Sequence, residues 1–262
     1  MDDWNQAASL LRSARFAVAL TGAGISSESG LDTFRGGGGL WKKFPPERYA
    51  TLSAFRRNPE RCWEFFLELG RLIERAEPNR AHRILAAWEA RGLLKAVITQ
   101  NVDGLHQRVG SRRVVEFHGS HRRLECLACG AGAEAPAAGE TREAPRCSCG
   151  AVMKPAAVLF EEAIPARALE EAQRLSEACD CLLVIGTSAA VVPASHIPGA
   201  VRAPRPARPG GGAVIEINPE KTFLGASDAA LRAPASEALS RLDSLIQEET
   251  GQSWNLPKAS PA

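Results

Sequence analysis

No run of apolar residues in the chain is long enough to cross a bilayer. The longest, such as residues 181–185, fall far short of the roughly 20 residues a spanning helix needs. The opening Met-Asp-Asp-Trp-Asn is acidic and carries no apolar h-region, so a signal peptide is not expected. A dominant charge of one sign is also missing. The formal net charge is +2, too small to argue for a polyanionic partner, and the scattered arginines read as a solvated surface. These absences predict a cytoplasmic protein with no nucleic-acid and no membrane partner. In a reducing compartment, seven cysteines argue for metal or thiol chemistry rather than disulfides. With 262 residues, 45% of them hydrophobic, the chain can bury a core without covalent staples.

A further lack lies in the stretch that organises the chain, residues 16–36. Phe16 to Leu20 is an apolar run of strand length. Gly22-x-Gly24 makes a tight turn, and Ile25 to Ser29 can open a helix. Strand, glycine turn and helix N-terminus together suit a dinucleotide phosphate. The third glycine of the usual fingerprint is replaced by Ser27, and no acidic residue stands about 20 positions on to hold a ribose. By itself the turn is as compatible with an ordinary strand-to-helix connection.

Further along, apolar runs of strand length alternate with segments of helical period. Strands are expected at 94–99, 114–117, 181–185 and 214–217. Helices are expected at 3–15, within 47–75, and at 80–91, 166–178 and 235–248. Such alternation predicts an α/β fold with a parallel, doubly wound sheet. Ligands bind such sheets at the carboxyl ends of the strands. Polar clusters stand at those ends: Thr21-Gly22, Gln100-Asn101 with Asp103, His118-Gly119, Gly186-Thr187-Ser188 and Asn218. They should converge on one crevice. Four successive glycines, 36–39, predict a mobile loop beside it. The polar, proline-containing tail 251–262 is expected to be flexible.

Cys126-x-x-Cys129 and Cys147-x-Cys149 offer four thiolates in two turns, a complete tetrahedral set for one structural zinc with no open position. The segment 121–155 has few large apolar side chains, so a metal would hold it together. Cys62, Cys179 and Cys181 read as core thiols. His118, at a strand end before a glycine, suits a general base acting on a sugar hydroxyl. His82 and His106 are weaker candidates, and His121 and His196 read as structural or surface. Asn101 and Asp103 suit ribose hydroxyls or an amide, or equally a turn cap.

Taken together these motifs resemble the sirtuin family. Thr21 to Gly30, Thr33-Phe34-Arg35-Gly36, Thr99 to His106, Phe117-His118-Gly119-Ser120, the four cysteines, Phe160 with Glu162, Gly186-Thr187-Ser188, Val192-Pro193-Ala194 and Ile217-Asn218 follow in that family's order, over about residues 9 to 245. The resemblance implies an NAD-dependent protein-lysine deacylase acting on acylated-lysine proteins or peptides. NAD would be co-substrate and one zinc structural. It places Gly22, Ala23, Gly24, Phe34, Arg35, Gln100, Asn101, Asp103, Gly186, Thr187, Ser188 and Asn218 at NAD. His118 would be catalytic, with Asn101 beside it in the nicotinamide pocket. Phe34, Ala50, Phe66, Leu69, Val158 and Phe160 would meet the acyl-lysine peptide. In the implied chemistry the acyl oxygen attacks the ribose carbon as nicotinamide leaves, and His118 then activates a ribose hydroxyl.

The resemblance also implies a Rossmann-like part from 1–40, 80–120 and 156–250. A smaller zinc-binding and helical domain would come from two insertions, 41–79 and 121–155. The chain departs from the family pattern at Asp32, where a proline is usual, and at Glu161, where a glycine is usual. Residues 37–69 are most similar to the branch that removes succinyl and malonyl groups, yet Phe66 and Leu69 stand where that branch has Tyr and Arg. A neutral acyl group, acetyl or a longer apolar chain, is therefore expected. A mono-ADP-ribosyltransferase or NAD hydrolase is the alternative, and a non-enzymatic NAD sensor a third reading.

Overall fold

The structure is a computed structural model, and it describes residues 2–31, 40–137, 143–206 and 208–258. The expectations for Asp32, Phe34, Arg35 and the glycines 36–39 lie outside the described residues.

Nine strands are seen among them. They are β1 Ala17–Thr21, β2 Leu94–Thr99, β3 Val114–Glu116, β4 Gly119–Glu125, β5 Gly132–Glu134, β6 Lys154–Ala157, β7 Cys181–Ile185, β8 Ala213–Ile217 and β9 Ala229–Leu231. The helices are α1 Asp3–Ser13, α2 Leu40–Lys43, α3 Pro46–Tyr49, α4 Leu52–Arg57, α5 Pro59–Arg75, α6 Arg80–Ala90, α7 Leu105–Arg108, α8 Ala166–Ala178, α9 Ile197–Arg202 and α10 Ala235–Thr250.

Six strands form one sheet in the order β3-β2-β1-β7-β8-β9, and every pairing in it is parallel. The order reverses between β1 and β7, which is where a doubly wound sheet opens its ligand crevice. Both faces are buried, so the central strands must be apolar at every position. In β1, Ala17 and Ala19 face the core under α1, α6 and α10, while Val18 and Leu20 face the core under α8 and α9. β7 repeats this with Cys181, Leu183 and Ile185 against Leu182 and Val184. Each large apolar side chain so buried contributes about 1.5–3 kcal/mol. Cys62, Cys179 and Cys181 are core thiols; burial raises the pKa of Cys62 to about 11 and of Cys179 to about 12, and pushes that of Cys181 up as well.

A separate antiparallel sheet, β5-β4-β6, carries the cysteine segment. A third core joins α3 to α5 with Leu124, Cys126, Cys147, Met153 and Leu159. The two insertions thus pack on one another. Trp63 on α5 donates from Nε1 to the Met153 carbonyl at 2.7 Å, fixing the contact.

One expectation needs correction. The tail is anchored through its described part: Trp254 donates to Asp243 at 3.0 Å, lies under the Arg91 guanidinium and packs with Leu256 on the main core. An aromatic ring within reach of a helix face outweighs the polar composition around it. The helix expected after the glycine turn is present as a 3-10 helix, Ala23–Ser29.

Candidate functional site

The polar strand ends converge on one cleft of about 1140 Å³. Gly22, Ala23, Gly24, Gln100, Asn101, His118, Gly186, Thr187, Ser188 and Asn218 line it, and so do Ala50, Phe66, Leu69, Val158 and Phe160. Asp103 lines an adjoining cavity together with Asn101 and Ala23.

The two glycines of the turn serve a purpose the sequence did not reveal. Gly22 N–H donates to the Ile185 carbonyl at 3.0 Å, and Gly24 N–H to the Gly186 carbonyl at 2.8 Å. A Cβ on Gly24 would lie 2.7 Å from the Gly186 Cα, and one on Gly22 2.7 Å from the Thr187 Cβ. Gly186 itself has a φ of +60° and a Cβ there would meet Ile25 N at 2.4 Å. The glycines press the β1 turn against the β7 turn, backbone on backbone, at the floor of the crevice. Gly24→Ala is expected to cost about 1–3 kcal/mol of stability through this clash and to weaken NAD binding. Thermal melts and calorimetric titration with NAD check both effects.

The turn after β7 is then tied to its neighbours. Gln100 Nε2 donates to Thr187 Oγ1 at 2.9 Å, and Asn218 Nδ2 donates to the Thr187 carbonyl at 3.2 Å. Asn101 Nδ2 donates to the Gly22 carbonyl at 3.2 Å and to Ser26 Oγ at 3.1 Å. Ser26 in turn donates to Asp103 Oδ2 at 2.8 Å, and Asp103 Oδ1 accepts the Leu105 N–H at 2.9 Å. Burial raises the Asp103 pKa, and these hydrogen bonds oppose the rise.

His118 stands just after β3. Its Nδ1 lies 3.0 Å from the Gln100 carbonyl. A carbonyl only accepts, so Nδ1 carries the proton and Nε2 of the neutral ring keeps its lone pair. Burial lowers the His118 pKa, and the Gln100 bond partly offsets this. The ring is therefore a base already unprotonated at neutral pH. The His118 carbonyl accepts the N–H of Val158 at 2.8 Å, so the two cleft-lining residues share a backbone link.

His82 and His106 take no place in the cleft. They are fully buried, with ring centroids 4.8 Å apart. His82 bonds Asn79 through Nδ1, and His106 bonds Thr21 through Nε2 at 3.1 Å. Burial lowers both pKa values, His106 to about 4. Cleft-lining residues that sequence reasoning missed include His121, Trp41 and Phe65. His121 bonds the Phe66 carbonyl at 2.9 Å, and Trp41 stacks on Phe65 at 5.3 Å. The apolar period of the helical segment signals Phe65 only as core.

Glu161 has a φ of +68°, the left-handed region where glycine is favoured. Its carboxylate accepts the Ser53 N–H at 3.0 Å, one of the free donors in the first turn of α4. Hydrogen bonds from Ser53 hold its carboxyl below the usual range. The strain at this position is thus offset by a cap on a neighbouring helix. Phe160 N–H and carbonyl pair with Ala50 and Leu52 beside it.

The four cysteines meet at one point. Their Sγ atoms all lie within 4.8 Å of one another, with Cys126–Cys149 at 3.6 Å and Cys129–Cys147 at 3.5 Å. A tetrahedral zinc with bonds near 2.3 Å needs sulfurs about 3.8 Å apart. The donor set fits one structural zinc. All four positions are protein sulfurs, so bound metal supplies cross-linking and no catalytic water.

The match to known proteins follows this geometry. Residues 22–193 match the model of the Sir2 family. An NAD-dependent protein deacylase of Thermococcus kodakarensis is 46% identical over 244 residues, 90% of this chain and 93% of that one. The crystal structure of a Sir2 homolog–NAD complex superposes with a TM-score of 0.86 at 39% identity, covering 94% of each chain. A Sir2 protein bound to a myristoylated histone peptide gives a TM-score of 0.78 at 35% identity, covering 96% of this chain and 99% of that one. The likeness runs through both the cleft and the cysteine segment, and the chain belongs to the Sir2 family.

Proposed function

We propose that the protein uses NAD to remove a neutral acyl group from lysine side chains of proteins. The products are free lysine, nicotinamide and O-acyl-ADP-ribose, with one water consumed. The observation that carries this reading is the tautomer of His118. His118 lines the same cleft as the glycine turns of β1 and β7, and with Nδ1 engaged its free Nε2 is the atom that can take a proton from a ribose hydroxyl. Gly22, Ala23, Gly24, Gly186, Thr187, Ser188, Gln100 and Asn218 are assigned to NAD, Asn101 and Asp103 to its nicotinamide end, and Val158 and Phe160 to the peptide. The common core of 41–79 and 121–155 supports reading these insertions as one small domain.

The acyl chain is assigned to the wall formed by Ala50, Phe66 and Leu69, with Trp41 and Phe65 extending it. Among the described residues lining the cleft, Lys221 is the one permanent cation, and it stands on the loop after β8. The His121 pKa is lowered by burial, so its ring is neutral there. A terminal carboxylate beside Phe66 would stay unpaired in apolar surroundings. Succinyl-lysine peptide is expected to give a kcat/KM about 10²-fold below acetyl-lysine peptide, with a long apolar acyl chain at least retained. Initial rates on the three peptides, matched in sequence, test this. Succinyl as the preferred substrate would overturn the assignment.

A further inference from the structure

Lys154, on β6, takes no part in the chemistry above, yet its side chain is wholly buried, with 0% exposure. Its ammonium lies 2.5 Å from Glu125 Oε1 and 3.1 Å from Glu162 Oε2. It also donates to the carbonyls of Pro155, at 3.1 Å, and Ala157, at 3.0 Å. Glu162 Oε2 is shared, because it accepts the Leu159 N–H at 2.9 Å. The consequence falls on Val158. The residue before it is held through its carbonyl by Lys154. The residue after it is held through its N–H by Glu162. Its own N–H is taken by the His118 carbonyl at 2.8 Å. Glu125, the remaining partner, directly precedes the metal-ligating Cys126. A buried ammonium persists only while both carboxylates and carbonyls surround it, so the cluster acts as one unit.

We propose that Lys154 is a positioning residue for the acyl-lysine peptide. Directly at Ala157 and through Glu162 at Leu159 it fixes the backbone on either side of Val158, and through Glu125 it fastens that backbone to the cysteine module. The inference rests on the assignment of Val158 to the peptide. The turns assigned to NAD follow β1, β2, β7 and β8 and make no bond to the cluster itself; a link runs from Val158 through His118 to the Gln100 carbonyl, so the effect should fall mainly on the peptide.

The test uses the full, zinc-loaded chain and an acetyl-lysine peptide. Lys154→Met keeps much of the volume and removes the charge. It is expected to raise the peptide Kd and KM about tenfold and to change the KM for NAD less than twofold. Lys154→Arg supplies a fork for two carboxylates and should return the peptide KM to within about threefold of the parent. Should Lys154→Met fail to fold, Glu162→Gln replaces it. The amide oxygen still accepts from Leu159 and Lys154 but carries no charge to balance the ammonium, and the same split is expected in weaker form. An unchanged peptide Kd in the folded variant would overturn the proposal. A parallel rise in both KM values would do the same, as would a loss of kcat alone that tracks a fall in Tm. Parent protein that binds the peptide without turning it over would count against deacylation while leaving the Kd comparison decisive for Lys154.

Discussion

His118→Ala is expected to lower O-acyl-ADP-ribose formation by about 10²–10⁴-fold, the usual contribution of a positioned general base. The loss should be uneven across the reaction. Nicotinamide leaves when the acyl oxygen attacks the ribose carbon, a step that needs no proton taken by His118. Exchange of labelled nicotinamide into NAD, in the presence of acyl-lysine peptide, should therefore survive better than deacylation. The pH profile follows from the same ring. Burial lowers the His118 pKa, so the base stays neutral to lower pH than a free imidazole. Activity should rise with pH through an inflection below 6.5 and be flat above it, until other groups titrate. Rates of deacylation and of exchange between pH 5 and 9, for parent and variant, check both statements. An acidic limb inflecting above 7 would contradict the assignment.

Removing zinc is expected to have the largest effect on stability. The segment that carries the cysteines buries few large apolar groups of its own, so the Cys126, Cys129, Cys147 and Cys149 cluster is its main tie. Metal at 1,000 times its Kd stabilises the folded state by about 4 kcal/mol. For a chain of this size that is roughly 8–16 °C in Tm, at about 2–4 °C per kcal/mol. Leu124, Cys126 and Cys147 belong to the same core as Phe55, Trp63 and Phe66, so loosening the module should also disturb the acyl wall. Thermal melts with and without a chelator test this. Cys147→Ser should melt like the chelated parent and show no further response to chelator. A parent protein whose Tm ignores the chelator would refute a structural metal.

The parts legible in the sequence were those where one physical demand acts alone. Strands β2 and β7 and helix α8 match their expected bounds, because runs such as Cys181 to Ile185 are buried on both faces and must be apolar throughout. Strands β4 to β6 were not foreseen. Ser120 to Arg123 and Gly132 to Glu134 alternate weakly, and few large apolar side chains in the segment mark a strand. Strand β9 is three residues at a sheet edge, too short for a periodic signal. At the glycine turn the sequence shows a tight turn but not all that requires it. Gly22 and Gly24 allow β1 to touch the Gly186 turn, which is a long-range contact that local spacing does not contain. Glu161 is legible as a departure, but its compensation through Ser53 lies more than a hundred positions away along the chain. The same holds for Lys154, whose partners come from two different segments.

The central claim is that NAD is cleaved only in company with an acylated lysine. Purified protein incubated with NAD and an acetyl-lysine peptide, with products identified by mass spectrometry, tests it most directly. Deacetylated peptide, nicotinamide and O-acetyl-ADP-ribose should appear in equal amounts, and NAD should be stable when the unacetylated peptide is substituted. NAD loss that proceeds without acyl-lysine, yielding free ADP-ribose or ADP-ribosylated protein, would contradict it.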